Sequence, residues 1–158
     1  MIKQNRDNKK IGWKEWVALP ELGIPSIKAK IDTGARTSAL HTYKIEPFIR
    51  DNMEYVRFWI HPIQRRQNIS ICCEAVIQDK RIVKDSGGHA EERYVITTNL
   101  LIDKLTYPIE LTLTNREDML FRMLLGRTAL NSGRIAVDPS VSYFTGKAHK
   151  KKYKSITN

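Results

Sequence analysis

Long hydrophobic runs, paired cysteines and sequence repeats are all missing from this chain of 158 residues. No apolar stretch approaches the roughly 18–20 residues that a membrane-spanning helix needs. The two cysteines, Cys72 and Cys73, are adjacent, which excludes a disulfide framework and the Cys-x-x-Cys half of a zinc finger. The first residues are polar and lack the apolar segment of a signal peptide. We therefore expect a globular protein of the reducing cytoplasm that does not enter a membrane.

Acidic residues are too few to balance the basic ones, so the net charge is +10. Residues 1–10 carry +3 and residues 146–158 carry +5, whereas residues 11–145 carry only +2. The charge pattern predicts one nearly neutral domain, residues 11–145, between a basic N-terminal tail and a basic C-terminal tail. Such tails are either solvated or contact a polyanion, which here means nucleic acid, the ribosome or an acidic protein.

Apolar residues recur mostly at every second position, which is the period of a β-strand. The segments that predict strands in this way or by their β-branched and aromatic content are residues 27–31, 54–61, 69–77, 93–98, 109–113 and 121–125. A helix is predicted only for residues 127–132, between Gly126 and Gly133. This pattern favours an all-β fold, a small closed antiparallel barrel with one short helix.

The most informative motif is Asp32-Thr33-Gly34-Ala35, which follows the predicted strand 27–31. Glycine lets the backbone approach a carboxylate closely, and backbone N–H groups can then hold that carboxylate in place. A threonine hydroxyl can bond across to a second copy of the same turn. The motif resembles the catalytic turn of aspartic peptidases.

Two further segments extend this resemblance to the retroviral-type aspartic peptidases, or retropepsins. The apolar strand that ends in Leu125-Gly126-Arg127 is similar to the hydrophobic-Gly-Arg signature of that family. A predicted hairpin over residues 82–96, with Ser86, Gly87 and Gly88 at its tip, resembles the mobile flap that closes over the substrate. Residues 44–80 exceed a minimal retropepsin and are predicted to be an inserted pair of strands.

Several blocks in order narrow the resemblance to bacterial retropepsin-like proteins labelled ATP-dependent zinc proteases. These blocks are residues 32–40, 92–96, 113–116, 124–127 and 137–140. The sequence itself gives no reason for either part of that label. The four histidines, His41, His61, His89 and His149, are scattered, and no phosphate-binding glycine loop is present. We expect neither a metal nor a cofactor.

The resemblance implies a role for each site residue. Asp32 would supply the catalytic carboxylate, oriented by Thr33 and Gly34, and a second copy of the chain would supply the other carboxylate. The resemblance also implies that Ala35, Arg36, Ser86, Gly87 and Gly88 form the substrate-binding rim and flap. Arg127 would support the structure. Arg36 would either stabilise the ionised carboxylates or attract an acidic substrate, and Asp138, which no glycine follows, is interpreted as structural.

Two functions follow from this reading. The first is a homodimeric aspartic peptidase, because the chain has one Asp-Thr-Gly motif and the mechanism needs two carboxylates. The resemblance also implies a link to an ATP-grasp ligase that adds glutamates to the C-terminus of a ribosomal protein. A glutamate-rich protein C-terminus is then the candidate substrate. The alternative is a non-catalytic retropepsin-like module that binds or regulates that ligase.

Overall fold

The computed structural model describes residues 9–64, 66–84, 87–116, 120–146 and 153. Its strands are β1 (Lys9–Ile11), β2 (Lys14–Leu19), β3 (Ile24–Ile31), β4 (Ser38–His41), β5 (Lys44–Arg50), β6 (Met53–Ile60), β7 (Ile71–Val76), β8 (Asp79–Lys84), β9 (Ala90–Ile102), β10 (Leu105–Thr114), β11 (Met123–Leu125) and β12 (Ile135–Val137). The described residues also form one α-helix, α1 (Arg127–Ser132), and one 3-10 helix (Pro20–Leu22). The prediction of an all-β fold with a short helix at residues 127–132 is confirmed.

The strands form three sheets in place of the single closed antiparallel barrel that the sequence predicts. The largest has the order β10-β4-β11-β3-β2-β9-β8, with an additional pairing between β10 and β9. Two of its pairings are parallel, β11 with β3 and β10 with β4. Alternating residues reveal a strand but not its partner, because pairing is decided by contacts between segments far apart in the sequence.

The region 44–80 forms more than the predicted pair of strands. Strands β5, β6 and β7 make a three-stranded antiparallel sheet, and β8 joins the largest sheet. Cys72 and Cys73 lie on β7, where successive side chains face opposite sides. Cys73 is buried and Cys72 is exposed.

One hydrophobic core lies beneath the sheets. It includes Phe58 of the three-stranded sheet, together with Leu100 and Leu111 of the largest sheet. Tyr153 also belongs to this core, although it lies in the predicted C-terminal tail. Its hydroxyl donates a hydrogen bond to the Ser26 carbonyl oxygen, which anchors that point of the chain against β3. No helix among the described residues is long and apolar enough to cross a membrane.

The parallel pairing of β3 with β11 determines where the two key motifs meet. Ile31, at the end of β3, is in register with Leu125, at the end of β11. Since parallel strands run in the same direction, Asp32 and Gly126 both follow the same edge of the sheet. Two segments more than 90 positions apart in the sequence are thereby brought side by side.

Candidate active site

The turn that follows β3, residues 32–37 (the Asp32 turn), is held by the backbone of β11. The Asp32 N–H donates to the Leu125 carbonyl oxygen at 2.9 Å. This bond continues the β3–β11 pairing one residue beyond the strand, so the start of the turn is part of the sheet. The Asp32 side chain is half-buried, whereas Thr33 and Gly34 are exposed.

Backbone N–H groups hold one oxygen of the Asp32 carboxylate. Oδ1 accepts hydrogen bonds from the Gly34 N–H at 2.9 Å and the Ala35 N–H at 3.2 Å. A Cβ atom on Gly34 would lie 3.3 Å from this oxygen, closer than most side-chain contacts, so glycine suits the position. Among the described residues no hydrogen bond to Oδ2 is found. The geometry leaves one fixed carboxylate oxygen and one that is available for a reaction.

Gly126 packs directly against the backbone of the Asp32 turn. A Cβ atom at this position would lie 2.6 Å from the carbonyl carbon and oxygen of Thr37 and 3.0 Å from the Ala35 carbonyl oxygen. The Gly126 N–H donates to Ser38 Oγ at 3.0 Å, and this contact is buried. Only glycine allows so close an approach.

Arg127 and the first turn of α1 hold the same loop from the other side. The Arg127 N–H donates to the Ala35 carbonyl oxygen at 2.7 Å, and its Nη1 donates to the Thr33 carbonyl oxygen at 2.9 Å. The Thr128 N–H donates to the Arg36 carbonyl oxygen at 3.0 Å. Arg127 therefore supports the Asp32 turn within one chain.

Tyr107 fixes α1 at its far end. Its hydroxyl donates to the Ala129 carbonyl oxygen at 2.6 Å, and its ring lies where a side chain at Gly133 would be, 2.6 Å from that Cβ position. Burial raises the pKa of Tyr107 to about 12. The sequence analysis did not find Tyr107 or Ser38, and neither carries a local signal, since the partners of both lie more than 20 positions away.

A cleft of about 460 Å³ separates the Asp32 turn from the β8–β9 hairpin. It is lined by Arg36, Thr37, Thr128, Arg81, Ile82, Val83, Lys84, Glu110 and Thr112. Asp32, Thr33 and Gly34 do not line this cavity, so the cleft meets the Asp32 turn through Arg36 and Thr37.

The residues that line the cleft carry more positive than negative charge, because they include three cations and one carboxylate, that of Glu110. Arg81 is paired with Glu110, at 2.9 Å and 3.1 Å, and with Asp79 at 2.9 Å. Arg36 and Lys84 are exposed, and neither forms an ion pair with another described residue. An acidic group that enters the cleft would meet two cations that no internal partner neutralises.

The tip of the β8–β9 hairpin is described only in part. Gly87 and Gly88 are exposed, and Gly88 has φ of +85°, a conformation that favours glycine. The predicted tip residue Ser86 lies outside the described residues.

Asp138 has the local partners of a structural aspartate. Its Oδ1 accepts from the Ser140 N–H at 2.9 Å and from Ser140 Oγ at 2.6 Å. These hydrogen bonds, with a smaller contribution from the charge of Lys10, hold the pKa of the Asp138 carboxyl below its usual range. The described residues contain no group of three or more histidine, cysteine or acidic side chains that could hold a metal ion.

Glu15 is a buried carboxylate that the sequence analysis missed. It accepts hydrogen bonds from the N–H groups of Gly12, Phe144 and Thr145 and from the Thr145 hydroxyl, at 2.6–3.0 Å. The segment around residue 144 is thereby fastened to β2, next to the strand that carries Asp32. With four donors, Glu15 is fully satisfied and acts as a structural acid.

The sequence and the fold were compared with known proteins. A family model described as RimB-like, retropepsin-like aspartic endopeptidase RimB, matches residues 10–148. A crystal structure of a Legionella pneumophila protein of unknown function has a TM-score of 0.74 and 28% identity. That match covers 88% of this chain and 99% of the Legionella chain.

Two curated relatives carry another kind of name. A probable alpha-L-glutamate ligase of Desulfotalea psychrophila is 44% identical over 149 residues, 94% of this chain and 32% of the ligase. The protein of the same name from Shewanella pealeana is 48% identical over 141 residues, 89% of this chain and 31% of the ligase. The chain thus spans about a third of the length of these relatives.

Proposed function

Because this chain belongs to the RimB-like family of retropepsin-like aspartic endopeptidases, we propose that it is an aspartic peptidase that works as a homodimer. The observation that carries the proposal is the Asp32 carboxylate. One of its oxygens is fixed by two backbone N–H groups, and its turn is supported by Gly126 and Arg127. This is a stable, partly exposed carboxylate beside a cleft.

Peptide hydrolysis of this kind needs two carboxylates. The ionised one takes a proton from water, whose oxygen attacks the peptide carbonyl carbon, while the protonated one donates a hydrogen bond to the carbonyl oxygen. The C–N bond then breaks, and the amine leaves with a proton. This chain has a single Asp-Thr-Gly motif, so the second carboxylate comes from Asp32 of a second copy across a two-fold axis. Thr33, which is exposed in the single chain, would form hydrogen bonds between the two copies.

A glutamate-rich protein C-terminus is the substrate that we propose, and the cytoplasm is the compartment. Arg36 and Lys84 support this choice because they place two unpaired cations at the cleft beside the Asp32 turn. The names of the longer relatives, probable alpha-L-glutamate ligases, connect the same domain to proteins named for glutamate addition. A peptidase that removes glutamates would oppose such a ligase.

A second function is favoured by the length of those relatives. The matched region is only about a third of each ligase, so the domain could serve as a regulatory module of an ATP-grasp ligase without cleaving anything. In that case the fold and the dimer would matter, and the Asp32 carboxylate would not.

The deciding experiment compares Asp32→Asn with the wild-type chain on a peptide that ends in several glutamates. The substitution keeps the size of the side chain but removes the base, so we expect cleavage to fall by about a thousandfold or more. Mass spectrometry of the products measures the rate and locates the cleaved bond, and sedimentation measures the dimer.

Asp138→Asn is the matched control, because it makes the same chemical change at an aspartate bonded to Ser140. It should keep wild-type activity. Equal activity of Asp32→Asn and wild type would refute the peptidase. If neither the wild type nor Asp32→Asn cleaves the peptide, but the two proteins change the rate of a purified glutamate ligase equally, the regulatory function is correct.

A further inference from the structure

A second positively charged surface lies on the outer face of β2 and β3, before the Asp32 turn. Lys14 is in register with Lys30, and Trp16 with Lys28. The residues that alternate with them along the two strands are buried, namely Glu15, Val17, Ala29 and Ile31. Since neighbouring residues of a strand face opposite sides, the three lysines and Trp16 share the outward face.

Aromatic rings from three other segments complete this surface. Its members are Trp13, Lys14, Trp16, Lys28, Lys30, Phe121 and Tyr143, together called the basic-aromatic face. The Trp16 and Tyr143 rings are stacked with their centroids 6.3 Å apart, and Trp13 meets the edge of Phe121 at 6.1 Å. The rings form a rigid base beneath the lysines.

The ammonium groups are held over these rings. Lys28 Nζ lies 5.3 Å from the centroid of Trp16, 5.6 Å from that of Tyr143 and 6.0 Å from that of Phe121. Lys14 Nζ lies 4.8 Å from the Trp13 centroid and 5.1 Å from that of Tyr143. Cation–π contacts at these distances hold the charges in place without neutralising them.

No carboxylate of the described residues pairs with this face. Lys28 Nζ donates one hydrogen bond, to Gln64 Oε1 at 3.0 Å, which leaves donors free. Lys30 is exposed and forms no ion pair with another described residue. Lys14, Lys28 and Lys30 therefore place three positive charges on one face, and no carboxylate of the described residues forms an ion pair with them.

The arrangement favours carboxylates over nucleic-acid bases as the ligand. Single-stranded nucleic acid binds by stacking its bases on open aromatic faces, but here ammonium groups cover the faces of Trp13, Trp16 and Tyr143. The described face also has no arginine, the residue that suits phosphate best. The ammonium groups that lie over the rings can donate hydrogen bonds to the side-chain carboxylates of an acidic segment.

We propose that the basic-aromatic face binds an acidic polypeptide segment. Lys30 precedes Asp32 by two residues on the same strand edge, so a bound segment would lie next to the Asp32 turn. The proposal goes beyond the peptidase function, since it concerns binding on a surface apart from the cleft of Arg36 and Lys84. It stands or fails whether or not Asp32 cleaves anything.

The test measures the affinity of a fluorescein-labelled decaglutamate peptide by fluorescence anisotropy. All proteins carry Asp32→Asn, so that binding is recorded without cleavage. The double variant Lys28→Gln with Lys30→Gln removes two charges from the face. We expect its dissociation constant to rise about tenfold, the combined effect of two exposed ion pairs, and its dependence on salt to weaken.

The matched control is Lys10→Gln with Lys104→Gln, which removes the same net charge from two exposed lysines that are not members of the face. Its affinity should stay within about twofold of the parent. An equal loss in both double variants would show attraction by net charge alone and overturn the proposal, as would unchanged binding in the face variant. Tighter binding of a ten-nucleotide uridine RNA that depends on Lys28 and Lys30 would overturn the choice of a polypeptide.

Discussion

The Asp32 turn and the β8–β9 hairpin face each other across one cleft, yet different elements hold them. Backbone atoms hold the turn: Asp32 bonds to Leu125, and the Ala35 and Arg36 carbonyl oxygens bond to the start of α1. The hairpin is also paired through its backbone, residues 79–84 with 90–95, but β8 is the edge strand of its sheet. Its side-chain contact with β10 is the exposed ion pair of Arg81 with Glu110. Its described tip is an exposed glycine with positive φ.

This difference suits a peptidase site. The carboxylate must keep its position through every turnover, because a displacement of about 1 Å can cost a hundredfold in rate. A flap must open and close around the substrate, so contacts that are weak and reversible are an advantage there. The side of the cleft that carries Asp32 is therefore the one with more backbone contacts to neighbouring elements.

The difference in rigidity can be tested by adding one methyl group beside the Asp32 turn and one on the hairpin. Gly126→Ala would bring a Cβ atom within 2.6 Å of Thr37 backbone atoms, so the Asp32 turn must move. We expect the free energy of unfolding to fall by about 3 kcal/mol, the upper end for overpacking. Denaturant unfolding measures this loss.

Gly88→Ala is the matched substitution on the hairpin. Nothing lies within 4 Å of its Cβ position, and only the positive φ opposes alanine, so we expect a loss of about 1 kcal/mol. Equal losses at the two glycines, or a larger one at Gly88, would contradict the proposed difference in rigidity.

Tyr107→Phe tests how much the support of α1 contributes to stability, because it weakens a contact of the helix and leaves the residues of the Asp32 turn unchanged. The variant loses the hydrogen bond from the Tyr107 hydroxyl to the Ala129 carbonyl oxygen, which should cost about 1 kcal/mol at pH 8. Burial raises the pKa of Tyr107 to about 12, whereas an exposed tyrosine titrates near 10. Its neutral form therefore stabilises the fold below pH 10, and this contribution is lost as the pH rises towards 12.

The check is denaturant unfolding of both proteins from pH 8 to pH 12. The stability advantage of the wild type should shrink above pH 10, because only the wild type has this hydroxyl to ionise on unfolding. A difference between Tyr107→Phe and wild type that stays constant up to pH 12 would refute the role of this hydroxyl.

Local patterns made much of this fold predictable. The alternating and β-rich runs predicted six of the twelve strands of the described residues, and Gly126 and Gly133 bounded the helix correctly at residues 127–132. Each of these predictions depends on neighbours within a few residues, which a sequence displays directly.

Features that depend on distant partners were out of reach. The parallel pairs of β3 with β11 and β10 with β4 join segments more than 70 positions apart. The sequence around Glu15 is typical of a surface acid, and only the fold brings the N–H groups of Phe144 and Thr145 to its carboxylate. Tyr153 reads as part of a lysine tail, and only the fold shows its ring in the core. The Asp32 motif was found because its own turn supplies the hydrogen bonds to its carboxylate.

The smallest expected effect concerns the ion pair of the hairpin. Arg81→Gln removes the contacts with Glu110 and Asp79, which are exposed to solvent. Exposed pairs contribute little, so we expect a loss of less than about 1 kcal/mol in low salt and almost none in about 1 M NaCl, where such charges are screened.

Arg50→Gln provides the reference, because Arg50 forms a similarly exposed pair with Glu74 on the three-stranded sheet. If the hairpin is held no more tightly than an ordinary surface, the two variants should show the same small, salt-sensitive loss in urea unfolding. A loss above about 2 kcal/mol for Arg81→Gln that persists in high salt would be too large for an exposed pair. The hairpin would then be a fixed wall of the cleft, and opening of the site would have to occur elsewhere, because the Asp32 turn is bound to the sheet by its backbone.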